Sequence, residues 1–126
     1  MGDRCILWVN KASAAIYLHW AGGRDGVAQI LDEAAGTLRQ GDPDYAQARL
    51  IAAACRVHNK YVTGVGVLPA PSKHDQEEDY EDYSHGDCGV GVIDDETGKI
   101  EWFAGYLSTE DEHNENGPVL VELTND

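Results

Sequence analysis

The tetrad GVGV, Gly64 to Val67, recurs unchanged at Gly89 to Val92. Successive side chains of a strand point to opposite faces, so each copy places its valines on one face and its glycines on the other. Valine is β-branched and favours an extended backbone. The stretches around the tetrads therefore read as strands, one over 61–68 and one over 89–92. If the two were neighbours in a sheet, the valines would form a core layer. The glycines would form a bare trough open to an aromatic ring, a helix or a ligand. An aromatic ring packed on the glycines is the favoured occupant.

Working outward, Asp94-Asp95-Glu96-Thr97-Gly98 has hairpin-loop chemistry, and Lys99 to Ala104 (KIEWFA) reads as the returning strand. Towards the N-terminus, Arg4 to Val9 (RCILWV) and Ala14 to Trp20 read as a hairpin around Asn10-Lys11-Ala12-Ser13. Val27, Ile30, Leu31, Ala34, Ala35 and Leu38 fall on one helical stripe, which predicts a helix over 26–38 with Asp25 as its N-cap. Gly36 would weaken its interior and Gly41 would end the segment. A second helix is signalled by Asp42 as cap, Pro43 at the first position and Asp44 beside the positive end of the dipole. Its body runs over 45–58, and Val119 to Leu123 reads as a last strand or an ordered tail. The expected fold is a single α+β domain over 1–126, β-β-α-α-β-β-β. It has an antiparallel sheet of about five strands and two helices on one face.

The chain has 126 residues and a formal charge of −14, distributed very unevenly. Six acids and eight bases lie in residues 1–74, whereas seventeen acids and only Lys99 lie in 75–126. A field of that sign repels nucleic acid and membrane and attracts basic proteins. The acids gather in a loop over 69–87 and in a C-terminal segment over 108–126. No run approaches the roughly 20 apolar residues of a membrane span. The first residues lack a basic region followed by an apolar one, so no signal peptide is expected.

Cys5, Cys55 and Cys88 are widely spaced and form no Cys-x-x-Cys pair. Reduced thiols in a host-cell cytoplasm fit this pattern, with no metal and no cofactor. His85 and Cys88 have the spacing of half a zinc site without a second half.

Two stretches carry candidate chemistry. The first is YLHWAGGRDG, Tyr17 to Gly26, where His19, Trp20 and Arg24 could line a small-ligand pocket at a strand-to-helix elbow. It lacks both glycine-rich phosphate patterns, and Asp25 opposes an anion at the helix start. No nucleophile accompanies His19, because Ser13 and Ser84 sit in no recognisable elbow. Catalytic residues are therefore not assigned.

The second is KHDQEEDYEDYSHGD, Lys73 to Asp87. As a calcium loop beginning at Asp75 it fails, with Tyr80 at the sixth position and Gly86 at the twelfth. As a partner surface it offers Asp75, Glu77, Glu78, Asp79, Glu81 and Asp82 for pairing with Arg and Lys, with Tyr80 and Tyr83 as low-entropy anchors. With Glu110, Asp111, Glu112 and Glu115 of the C-terminal segment, it could imitate a phosphate backbone and compete for the same basic side chains.

IYLHWAGGRDGVAQIL (16–31), YAQARLIAAACRVHNKY (45–61) and GDCGVGVIDDETGKIEWFAG (86–105) resemble a family of small phage- and prophage-encoded proteins. Those carry a Tyr-Leu-His-Trp-x-Gly-Gly-Arg-Asp signature, then Tyr-x-x-Ala-Arg-Leu, then a glycine-rich strand followed by a Trp-containing one. The likeness spans roughly residues 15–105. Ala21 stands where the family pattern has Asn, and the acidic loop is longer here. The resemblance implies a mobile-element setting and no particular chemistry.

These features together point to a binder rather than an enzyme. The expected function is a phage-type, anti-CRISPR-like inhibitor of a host defence complex, acting as an acidic DNA mimic on a basic nucleic-acid-binding surface. The alternative is a nucleotide-signal sponge using His19, Trp20 and Arg24. The sequence leaves open whether the chain forms a homodimer through an exposed strand edge.

Overall fold

The computed structural model describes residues 4–19, 24–57, 64–70, 87–105, 107–108 and 117–125. Along these run β1 (Cys5–Val9), β2 (Ala14–Leu18), α1 (Arg24–Ala34), β3 (Leu38–Arg39) and α2 (Pro43–Val57). They are followed by β4 (Val65–Pro69), β5 (Gly89–Ile93), β6 (Ile100–Phe103) and β7 (Leu123–Thr124). Five strands form one sheet in the order β4-β2-β1-β5-β6, and β3 pairs with β7 in a separate ribbon. The class is α+β, with two helices and a five-stranded sheet.

The sheet is mixed, which corrects the antiparallel expectation. β1 runs parallel to β5, from Cys5 opposite Gly89 to Val9 opposite Ile93. The other three pairings of the sheet are antiparallel. β4 ends at one edge, and the chain re-enters beyond β1 with β5 pointing the same way. The two GVGV strands are therefore separated by β2 and β1 and share no glycine trough. Each inner glycine instead lies under an aromatic ring of its antiparallel neighbour. Gly66 stands opposite Tyr17 and Gly91 opposite Trp102.

The central position of β1 explains its composition. Flanked on both edges, it has all five side chains buried, which suits the unbroken apolar run CILWV. The β1–β2 turn places Lys11 at φ 76°, and the Trp8 indole N–H donates to Ala12 O at 2.9 Å to close it.

Both helices form, with three local corrections. α1 begins at Arg24, so Asp25 lies inside its first turn rather than at the cap; its carboxylate still faces the positive end of the dipole. Gly36, at φ 76°, follows the last helical turn and lets the chain leave it, so it is a terminator and not an interior weakness. Leu38 consequently leaves the helical stripe and enters β3. α2 starts as expected at Pro43, and Asp42 O accepts the first helical bond from Ala46 N at 2.9 Å. Asp44 also reaches the hairpin, accepting from Ser13 N at 2.8 Å and Ser13 Oγ at 2.9 Å.

α2 lies against β1 and β2, and α1 packs against α2. Gln47, buried on α2, accepts from Val9 N at 2.6 Å and donates to Leu7 O at 3.3 Å. This side chain takes the Val9 N–H where the β1–β2 pairing stops at Leu7 and Ile16. The C-terminal segment runs along the outer edge of β6, where Ile100 N donates to Val119 O and Val121 N to Gly98 O, both at 2.9 Å. Leu123 and Thr124 then pair with Leu38 and Arg39. The last strand is thus shorter than 119–123 and belongs to the small ribbon. No helix among the described residues is long and apolar enough to cross a membrane.

Candidate functional site

Asp87 and Cys88 lead into β5 and form the stem by which the acidic stretch rejoins the sheet. The Asp87 carboxylate accepts from Arg4 Nε at 2.7 Å and from Arg4 N at 3.2 Å. That hydrogen bonding to Arg4 holds the Asp87 carboxyl below its ordinary pKa, and the same bond raises the Arg4 guanidinium. Residues 83 positions apart are latched in this way. At the other stem, Ala70 N donates to Ser13 O at 3.2 Å, extending the β2–β4 ladder.

The second acidic segment has its stems at the same corner. Gly117 N donates to Leu107 O at 3.1 Å, closing the base of the segment, and Leu107 N donates to Cys88 O at 3.2 Å. Cys88 N in turn donates to Arg4 O at 2.9 Å. One run of hydrogen bonds thus joins Arg4, Cys88, Leu107 and Gly117. The returning end of the first stretch and both ends of the second thus meet at one place on the fold, whereas the first stretch leaves from Ala70, at the other end of the sheet.

Glycine is needed there for space. A Cβ at Gly105 would run into the backbone of Cys88 and Gly89, and one at Gly117 would meet the Trp102 indole. Trp102 completes the corner by donating its indole N–H to Pro118 O at 2.8 Å.

The elbow reaches this neighbourhood through β2. The Tyr17 hydroxyl is hydrogen-bonded to His19 Nδ1 at 2.7 Å, with the rings tilted and 5.8 Å apart. The Arg4 charge also interacts with Tyr17. His19 is half-buried, and Arg24 is exposed at the start of α1. Trp20 lies outside the described residues. Two cavities, of about 530 Å³ beside Trp8, Ser13 and Pro69 and about 390 Å³ beside Val92, Lys99 and Phe103, lie elsewhere; neither is lined by His19 or Arg24.

The expected partner contacts Asp75, Glu77, Glu78, Asp79, Tyr80, Glu81, Asp82 and Tyr83 all lie outside the described residues, as do Ser84 and His85. Ser13 donates its hydroxyl to Asp44 at 2.9 Å. Among the described residues, no three His, Cys, Asp or Glu side chains gather as a metal site would need. The structure adds Arg4, Asp87, Gly105 and Gly117 as residues that hold the stems. Their sequence neighbourhoods gave no sign of this, because each acts on a distant part of the chain. Comparison with family models, curated proteins and solved structures found no match.

Proposed function

We propose that this chain is a non-enzymatic, anti-CRISPR-like inhibitor of the phage or prophage type. Its acidic segments would occupy a basic nucleic-acid-binding surface of a host defence complex as a DNA mimic. The observation that carries this reading is the meeting of the returning stem of the first acidic segment with both stems of the second, at Arg4, Cys88, Leu107 and Gly117.

Charge use within the fold supports the same reading. Arg4 pairs with Asp87, Lys11 with Asp95, Arg39 with Asp42 and Arg56 with Glu33. Asp94 accepts from the backbone of Glu96 and Thr97, which holds its carboxyl below the ordinary range. These acids serve the fold itself. Twelve of the 23 acids, but only Lys60 and Lys73 of the nine bases, belong to the remaining residues. A surplus of acids of this kind in the sequence could compete for Lys and Arg side chains that would otherwise hold phosphates. A nucleotide-binding elbow gains less support, because Tyr17 already engages His19 Nδ1.

The test is displacement of duplex DNA from purified CRISPR effector complexes, compared with the variant in which Asp75, Glu77, Glu78, Asp79, Glu81 and Asp82 are all changed to Lys. The wild-type chain should release the DNA and the variant should not. Unchanged displacement by the variant would reject the mimicry.

A further inference from the structure

Cys5 opens β1 opposite Gly89, and Cys88 immediately precedes β5. A one-residue offset between adjacent strands ordinarily sends two side chains to opposite faces. Gly89 sits at φ 104°, a left-handed conformation that breaks this alternation. The Cys88 thiol lies within interacting distance of the Cys5 thiol, whose Sγ also lies 3.8 Å from Ile6 O. Both cysteines are fully buried and neither is in a disulfide. Neighbouring strands lie about 4.8 Å apart, and the Cα atoms of bridged cysteines usually lie about 4.4–6.8 Å apart. Cys88 is one residue along from the position opposite Cys5, so the strand spacing and a rise of about 3.3 Å put the two Cα atoms roughly 6 Å apart, within the range of bridged cysteines.

We infer that Cys5 and Cys88 form a redox site, a buried dithiol that a low-molecular-weight disulfide converts into an intramolecular disulfide. One protein thiolate attacks the reagent's S–S bond, forming a mixed disulfide and releasing one reagent thiol. The second protein thiolate then attacks the cysteine sulfur of that mixed disulfide and releases the other. The two protein thiols lose two electrons and two protons, and the reagent gains both pairs as two thiols. Burial raises the Cys5 thiol pKa, so the attacking thiolate forms when β1 opens or before it docks. Exposed Cys55 is the faster-reacting thiol of the same chain.

The full chain carrying Cys55→Ser is incubated with glutathione disulfide, both folded and during refolding from urea, and then digested with trypsin. The expected product links the peptide 5–11 to the peptide 74–99, lighter by two hydrogens than the reduced pair. Its Tm should exceed that of the reduced protein by roughly 10 °C and fall back with dithiothreitol. Refolded protein bearing glutathione separately on each cysteine, or two free thiols and no linked peptide, would overturn the inference. Cys88→Ala in the same background should show no oxidant-dependent change in Tm, and a retained shift would also reject it.

Discussion

Trp102 stands directly opposite Gly91 and fills the space that a side chain there would need. A Cβ on Gly91 would come within 2.8 Å of the ring and 3.0 Å of Leu7 Cδ2. Tyr17 covers Gly66 in the same cross-strand manner, but the nearest ring atom would stay 3.8 Å away. Gly91→Ala should therefore cost about 1–3 kcal/mol by overpacking, whereas Gly66→Ala should change stability by less than about 1 kcal/mol. Urea denaturation of the two variants measures the difference. Equal losses would mean that the rings do not decide the cost.

The Arg4–Asp87 latch predicts a pH signature. Asp87 has a lower pKa folded than unfolded because Arg4 donates to its carboxylate. Its contribution is complete above the unfolded carboxyl value of about 4 and is lost as pH falls through the lower folded value. Asp87→Asn should lower Tm at pH 7, and the gap from wild type should close as pH falls below about 4. Thermal melts across pH 3–7 check this, and a constant gap would exclude the latch as its source.

Gln47 tests a different kind of contact. Removing its amide leaves the Val9 N–H without its acceptor in a buried site. Gln47→Ala should destabilise by about 1–3 kcal/mol, measured by chemical denaturation. Gln47→Leu should recover little of this, because it fills volume and supplies no acceptor.

If both acidic segments meet one partner surface, their effects should be coupled. Changing Glu110, Asp111, Glu112 and Glu115 to Lys should weaken DNA displacement even with residues 75–82 intact. Combining both sets should depart from additivity by about 0.5–3 kcal/mol, and displacement should weaken as salt rises. Full potency in the first variant would confine the contact to one segment.

Local signals were readable wherever the deciding atoms are close in sequence. The Asp42-Pro43 start of α2 is fixed within one turn, and the Gly98 turn, at φ 78°, answers the Asp94 to Gly98 loop chemistry. The alternation in GVGV likewise predicted glycines under an aromatic ring. Which strands would meet was not readable, because the parallel pairing of Cys5 with Gly89 depends on where the chain re-enters the sheet. Gly36 was misread for a related reason. A glycine costs stability inside a helix and ends one at positive φ, and the choice rests on β3 finding its distant partner β7. The corner holding the acidic stems depends wholly on such remote contacts.

The parallel contact between β1 and β5 also constrains synthesis of the protein. The first strand can zip onto β2 almost at once, but its other edge must wait for residues 89–93. At a translation rate of about 5–20 residues per second, that edge is unpaired for roughly 4–17 s. During this interval the nascent chain presents CILWV, its most apolar strand, with one row of backbone groups unsatisfied. A transcript cut short before codon 93 would leave that edge permanently open and yield a sticky fragment rather than a smaller working protein.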